Sequence, residues 1–422
     1  MTLEELQQWI LSSDGMAADL NRLSRYSAAR SMGLTATPSD IAEYDPDWKH
    51  LIFAGSVLSR SDLPNVHEFA LMIAQAALQN ADDHKVVDAS ATILTQLANH
   101  RAVQLAIQRG QLTADLESRV GAVEQLLLTR RELQQSVVPV NGHAITTNRF
   151  QREFWDQLER ASWLSASAPT ASGKTYLVLQ WLLNEFAASR TTLAVFLAPT
   201  RALVGEIERE LLEFSHAQDI ENLRIASLPL SALGDRSRPT IVVFTQERLH
   251  VFLNSFPTPP QIDIAIVDEV QKLGDGLRGV ILQDAIERIA RSNNHVRLVF
   301  LSPLTENPEA LIQDAPSTVV TAVVPSEVPT VTQNLIIAEQ MPLHSDKWRL
   351  LLRKSGDIGE IGKIRLHAKP DTQIKRLSYV ALAMGRSQVG TLVYANGAAD
   401  AEKIAWQIYN GLHCCPAILP GA

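Results

Sequence analysis

Cysteine is almost absent: two among 422 residues, adjacent at Cys414 and Cys415, which excludes a disulfide framework and the paired ligand spacing of a structural zinc site. Long hydrophobic runs are missing too. No stretch approaches about 18 consecutive apolar residues, and the opening MTLEELQQWI is amphipathic and acidic, with no basic run leading into an apolar one. These absences predict a soluble, cytoplasmic chain with no membrane partner. Nor is there an excess of positive charge: 38 Lys and Arg stand against 46 Asp and Glu, a formal charge of −8, which excludes a uniformly basic nucleic-acid coat. A protein that holds phosphates through backbone amides and a few placed arginines needs no such coat. What the chain does have is apolar material, at 46% of residues, which excludes a disordered or fibrous class. The length predicts two or three domains of about 100–200 residues each.

From residue 1 to about 135 the apolar spacing is helical, as in Phe69, Met72, Ile73 and Ala76 and again in Leu116, Val120, Val123 and Leu127. Polar breaks at Ser61–Pro64 and Asn80–His84 divide this region into several helices, so residues 1–140 are expected to form an all-helical accessory domain. Pro139, Asn141 and Gly142 mark its end. Short apolar strands then alternate with helices. They are placed at Trp163–Ala168, Thr192–Ala198, Arg224–Leu228, Ile241–Phe244, Ile262–Val267 and Arg297–Leu301. Strands apolar throughout are buried on both faces, which predicts a doubly wound parallel sheet over residues 141–325. Past a proline-marked connector, Pro325 to Pro329, a second strand and helix pattern starts near Val331 (VTQNLIIAE) and includes Gly390–Asn396. Residues 326–422 are read as the first part of another α/β domain, since about 90 residues fall short of the usual domain size of about 150.

The strongest local signal is Ala168-Pro169-Thr170-Ala171-Ser172-Gly173-Lys174-Thr175, after a predicted strand and before a predicted helix, Tyr176–Phe186. Small residues let backbone N–H groups curl around phosphate oxygens, and the helix amino terminus adds positive potential. Lys174 is suited to the outer phosphates and the Thr175 hydroxyl to Mg²⁺. An ordinary strand-to-helix turn containing Gly-Lys-Thr is the competing reading. Downstream, an apolar strand delivers Asp268-Glu269-Val270-Gln271 at its carboxyl end, where doubly wound sheets place their ligands. Asp268 is suited to hold Mg²⁺ through its waters, and Glu269 to accept a proton from the water that attacks a γ-phosphate. An isolated Asp-Glu pair would more often be a solvated strand end. The phosphate loop upstream favours the catalytic reading.

These motifs, with those between and around them, resemble the ordered motif set of superfamily-2 helicases over roughly residues 145–410. Phe150-Gln151 is similar to the upstream adenine-reading glutamine, whose amide can donate and accept at once. Pro199-Thr200-Arg201 is similar to motif Ia. Thr245-Gln246-Glu247-Arg248 resembles the Thr-Pro-Glu-Arg group that grips the tracking strand, with Gln246 in place of proline. Leu301-Ser302-Pro303-Leu304 stands where the family has Ser-Ala-Thr, with Ser302 keeping the first hydroxyl and Leu304 lacking the second. Thr391–Asn396 resembles motif IV. The closest flavour is the Ski-like branch, and bacterial antiphage helicases of the Hachiman type look similar, with a helical domain ahead of the motor and a nuclease as usual partner.

The resemblance implies an α/β fold with a complete RecA-like motor domain, an all-helical domain before it and an incomplete second RecA-like domain after it. It implies ATP and Mg²⁺ as cofactors and DNA or RNA as partner. Lys174, Asp268 and Glu269 would be catalytic; Gln151, Thr170, Ser172, Gly173, Lys174 and Thr175 would hold nucleotide, with Thr175 and Asp268 at the metal. Pro199, Thr200, Arg201, Thr245 and Arg248 would contact the strand, and Gln271 and Ser302 would couple hydrolysis to movement. Complete members carry a Gln-x-x-Gly-Arg-x-Gly-Arg type segment in the second motor domain, worth about 10³–10⁵ in rate. No such segment occurs in these residues, so the chain is expected to be the amino-terminal part of a longer motor that binds ATP and hydrolyses it poorly. A nucleotide-dependent sensor or scaffold stays open beside the enzyme. An unrelated phosphate-loop kinase would leave the motif Ia and Thr-Gln-Glu-Arg elements unexplained.

Overall fold

The computed structural model describes residues 2–12, 14–61, 63–139, 142, 144–228, 238–256, 260–274, 276–354, 356–385 and 390–414. Asn141 and Cys415 lie outside them. Contacts divide the chain into two compact units, Asp62–Glu68 with Leu94–Val331, and Met1–Ser61 with Phe69–Ile93 and Thr332–Ala422. This grouping differs from the three consecutive stretches 1–140, 141–325 and 326–422 read from the sequence. Local periodicity identifies helices, whereas long-range packing decides which of them share a core.

The first unit carries a seven-stranded sheet. Its strands are β1 (Trp163–Ser167), β2 (Leu193–Leu197), β3 (Arg224–Ala226), β4 (Thr240–Phe244), β5 (Ile264–Val267), β6 (Arg297–Ser302) and β7 (Thr321–Pro325). They are ordered β3-β4-β2-β5-β6-β1-β7, every pair parallel. Six of them fall where the apolar runs predicted strands. The seventh, TAVVP, is an edge strand with one fully buried residue, so it lacks the two-faced apolar signature of its neighbours.

Alternate residues of each inner strand face opposite layers, as the two-residue period of a strand requires. Leu164, Phe196, Ile241, Val243, Ile266 and Val299 pack in one core with helices α1 (Arg149–Arg160), α2 (Lys174–Ala187) and α3 (Arg201–Ala217). Val195, Val242, Phe244, Val267, Leu298 and Phe300 pack in the other with α4 (Gln246–Asn254) and α5 (Leu277–Ser292). Helices on both faces of an all-parallel sheet make this the doubly wound, RecA-like α/β fold that the resemblance implied. The helix α2 is buried nearly all round from Leu177 to Phe186, so the element that follows the predicted phosphate loop is fixed along its length.

The second unit joins amino-terminal helices to a three-stranded antiparallel meander, β8 (Leu335–Met341), β9 (His344–Lys354) and β10 (Asp357–Arg365). Ala28, Ala29 and Ile41 share a core with Leu350, Leu352 and Ile361, and Ala36 makes a bridge to Lys363. The strand expected near Val331 is therefore present, but in antiparallel company. Only Pro342 and Leu343 separate β8 from β9, and Leu343 takes φ +64°. Parallel strands need a crossover of a dozen residues, so a hairpin this short permits antiparallel pairing alone. Thr391–Asn396, expected as a strand, forms none. Leu392 and Tyr394 are 98% and 83% exposed, without the neighbours on both edges that an apolar strand requires. The helical region shows the predicted breaks at Leu58/Pro64 and Asn80/His84, but the apolar run Leu116, Val120, Val123 and Leu127 is split between helices Leu116–Arg119 and Ala122–Gln135, and Val123 is 75% exposed.

Candidate active site

The turn between β1 and α2 is the predicted phosphate loop. Gly173 takes φ +83° and caps α2, and Ala171 takes φ +69°, so left-handed residues curl the backbone ahead of the helix amino terminus. A side chain at Gly173 would meet the Gln151 amide nitrogen at 2.6 Å, which accounts for glycine there. Thr170 is exposed and Ser172 buried. The Lys174 ammonium lies in the curl, donating to the carbonyls of Ala168 (2.6 Å) and Pro169 (3.1 Å) and to Ser172 Oγ (3.3 Å). Burial pulls its pKa down, while Asp268 and Glu269 pull it back up.

Gln151 belongs to the first turn of α1. It forms a capping box with Asn148, whose backbone N–H donates to Gln151 Oε1 at 3.0 Å while the Gln151 N–H donates to Asn148 Oδ1 at 2.8 Å. Its amide Nε2 also donates to the Ser172 carbonyl at 2.8 Å. One amide hydrogen and one oxygen lone pair remain for a ligand edge.

The acid pair follows β5. Asp268 receives its position from the backbone bond of its N–H to the Leu197 carbonyl, 2.9 Å. Burial raises its carboxyl to about 6, opposed by the Glu269 N–H, by Lys174 and by the nearby Thr175 hydroxyl. Thr175 and Asp268 are the two side chains expected at Mg²⁺, a hydroxyl and a carboxylate, which are the hard oxygen donors this cation takes. Glu269 is held at φ +54°, a conformation that costs a non-glycine residue roughly 1–2 kcal/mol and that clusters at functional sites. Gln271 Nε2 donates to Glu269 Oε2 at 2.5 Å.

The segment after β6 departs from the family pattern in an informative way. Leu304 is exposed, but the next residue, Thr305, supplies the hydroxyl that position lacks. Thr305 Oγ1 lies 3.3 Å from Ser302 Oγ and donates to Ser167 Oγ at 3.0 Å, and the Thr305 N–H reaches the same Ser167 oxygen at 3.0 Å. Ser167 Oγ in turn donates to the Pro303 carbonyl at 3.0 Å. A hydroxyl displaced by one residue, and a partner 138 residues away in sequence, are invisible to motif spacing.

Along the carboxyl edge of the sheet, Thr200 caps α3 by accepting from the Leu203 N–H at 3.3 Å, and Thr245 caps α4 by accepting from the Arg248 N–H at 3.4 Å. Pro199 is buried and Arg201 exposed. Arg248 donates to the Ser227 carbonyl at 2.7 Å, so one of its nitrogens is already engaged. Sequence reading missed Arg278. It donates to Glu247 Oε1 at 2.9 Å and to the Pro199 carbonyl at 3.1 Å, tying the motif Ia turn to the Thr-Gln-Glu-Arg turn. Burial would raise Glu247, but hydrogen bonds from Thr245, its own N–H and Arg278 outweigh it and hold the carboxyl below its ordinary value.

Residues 148–308 match the family model of DEAD/DEAH box helicases. The chain is 32% identical over 127 residues to the protein named helicase POLQ-like of Caenorhabditis elegans, across 29% of this chain and 14% of that one. It is 27% identical to the ATP-dependent DNA helicase Hel308 of Aeropyrum pernix, across 36% of this chain and 20% of that one. With the probable ATP-dependent RNA helicase DDX52 of Mus musculus it shares 32% identity, across 33% of this chain and 25% of that one. The chain thus spans a quarter or less of the length of these relatives. Among solved structures, a DEAD box protein from Methanococcus jannaschii matches at 20% identity and a TM-score of 0.35, across 43% of this chain and 50% of that one.

Proposed function

We propose that this chain belongs to a motor that converts ATP hydrolysis into movement along, or separation of, DNA or RNA strands. The observation that carries this reading is the Lys174 ammonium drawn into the left-handed curl at the amino terminus of α2, with the Asp268-Glu269 pair past the end of β5 close enough to favour its charge. The two halves of a nucleotide site thus meet at the sheet edge that also bears Thr200, Thr245 and Arg248. On this reading Lys174 binds the outer phosphates, Thr175 and Asp268 hold Mg²⁺, and Glu269 takes the proton of the attacking water. The cation, when bound, neutralises charge on the phosphates. Gln151 reads the adenine edge, while Arg201 and Arg248 with Pro199, Thr200 and Thr245 contact the sugar-phosphate backbone without reading bases. Gln271 and Ser302, joined by Thr305, relay the state of the nucleotide to the strand.

The reading extends to a cytoplasmic role in antiphage defence or nucleic-acid processing, with a nuclease as protein partner, on the strength of the Ski-like motif flavour. Among the described residues no helix is long and apolar enough to cross a membrane. A second reading, a nucleotide-dependent sensor or scaffold, is favoured by the altered segment Leu301-Ser302-Pro303-Leu304, where Leu304 lacks the second hydroxyl. On either reading these residues bind ATP, and by themselves turn it over slowly. The deciding assay is ATP hydrolysis by this chain and by any carboxyl-extended form, with and without single-stranded DNA and RNA. Strand-stimulated turnover supports the motor and names its polymer; tight nucleotide-dependent strand binding without turnover in either form supports the sensor.

Two finer expectations follow from the geometry. Asp268 is neutral below its value of about 6, and a protonated carboxyl cannot serve the metal. Mg²⁺-dependent nucleotide affinity is therefore full near neutrality and falls by up to about tenfold per pH unit below 6, whereas Asp268→Asn flattens that profile. Titrating a fluorescent ATP analogue with Mg²⁺ and with chelator across this range measures it. A flat profile in the parent protein would remove Asp268 from the metal. Thr305→Val keeps the shape of the residue and deletes both hydroxyl contacts. It is expected to lower the ratio of strand-stimulated to basal turnover by roughly three- to tenfold, the worth of one or two hydrogen bonds. An unchanged ratio would show that the Ser167-Ser302-Thr305 cluster serves packing only.

A further inference from the structure

A loop that offers its backbone N–H groups to phosphate turns carbonyls the other way, and each of those needs a donor. Lys174 serves two of them from within the loop, Ala168 and Pro169, and two more have side-chain donors from outside it. Gln151 serves Ser172, as described, and Thr330 Oγ1 donates to the carbonyl of Ala171 at 3.3 Å. Ala171 is the residue held left-handed at φ +69° without being glycine, so its peptide orientation is strained and depends on what surrounds it.

Thr330 is itself held. Asn99 Nδ2 donates to the Thr330 carbonyl at 2.8 Å, while Asn99 Oδ1 accepts from the Ala102 N–H at 3.3 Å and caps the helix His100–Gln108. The same helix reaches the nucleotide element a second time, where the Arg101 guanidinium lies 5.6 Å from the ring centroid of Tyr176, the residue after Thr175. The route of the connector is fixed upstream by the Ser326 N–H donating to the Ser167 carbonyl at 2.7 Å and by the Val328 N–H donating to Ser326 Oγ at 3.4 Å. All of these residues lie in one compact unit, which ends at Val331, one residue past Thr330.

We propose that Thr330 and Asn99 are positioning residues of the phosphate loop, through which the connector after β7 and the helix His100–Gln108 set its affinity for nucleotide. The proposal rests on the reading of that loop as the ATP site. It gives the helical region a task in the motor cycle: a displacement at Val331 is transmitted by Thr330 to Ala171 and so to the shape of the cradle.

The test is the affinity of a fluorescent ATP analogue for the full chain and for Thr330→Val, Thr330→Ser and Asn99→Ala, with amide hydrogen exchange over residues 168–176. Thr330→Val, which keeps the shape and loses the hydroxyl, is expected to weaken binding roughly three- to tenfold and to speed exchange in the loop. Thr330→Ser, which keeps the hydroxyl, is expected to stay within about twofold of the parent, with Asn99→Ala between the two. Nucleotide-free binding of single-stranded DNA is unchanged in all three. Parent-like affinity and exchange in Thr330→Val, alongside loss of binding in Lys174→Ala, would overturn the proposal and leave the ATP site standing. Failure of the parent chain to bind nucleotide at all would overturn the site and the proposal with it.

Discussion

Lys174→Ala is expected to abolish ATP binding at concentrations that saturate the parent protein, and Glu269→Gln to keep affinity within about threefold while lowering strand-stimulated turnover roughly 10²–10⁴-fold. The two effects separate because the side chains stand on different elements. Lys174 is the first residue of α2 and donates into the loop from within, so its loss removes the ammonium proposed to bind the outer phosphates. Glu269 stands past the end of β5 and bonds Gln271, not the loop. A glutamine there keeps an oxygen that can still accept from Gln271, so the local geometry survives and only the capacity to take a proton is lost. Nucleotide titration beside steady-state phosphate release, in a form of the protein that turns ATP over, measures both. Undiminished turnover in Glu269→Gln would remove it as the base; retained binding in Lys174→Ala would remove the loop as the nucleotide site.

The buried half of this architecture was legible in the sequence because its signal is redundant. The runs AIV and VVF leave a parallel strand no solvated face, and their carboxyl ends locate the acid pair and the Thr-Gln-Glu-Arg turn. The edge strand Thr321–Pro325 carries half that signal and ends on the first proline of the expected connector, so it drew no strand reading. The grouping of the amino-terminal helices with residues 332–422 was illegible for a different reason: Ala28 and Leu352 are both ordinary apolar residues, and nothing in either stretch names the other. At the site, residue identity revealed what each chemistry requires and missed what holds it. Gln151 was visible as a lone polar residue, but not as the donor to Ser172. Arg278 and Thr305 act through partners distant in sequence, and no spacing rule reaches them.

The largest effect on stability is expected at the opposite end of the sheet from the acid pair, where Glu185→Ala should cost about 3–5 kcal/mol and lower the melting temperature on the order of 10 °C. Glu185 is 2% exposed. Its carboxylate accepts from Arg297 at 2.9 Å through Oε2 and from Arg190 through Oε1. Arg297 is the first residue of β6, donates to the Leu158 carbonyl at the end of α1, and lies 4.5 Å from the ring centroid of Trp181 in α2. One guanidinium thus joins two helices and a strand. Burial lowers its pKa, and Glu185 offsets that most. Deleting the carboxylate leaves a desolvated cation, and that penalty exceeds the value of the pair itself. The double variant Glu185→Met with Arg297→Met should therefore recover much of the loss, since two apolar side chains of similar volume carry no charge to strand. Urea unfolding of the parent, both single variants and the double variant closes the cycle. A cost below about 1 kcal/mol for Glu185→Ala would mean that the network behaves as a solvated surface pair, and nucleotide affinity measured well below the melting range should be unchanged throughout.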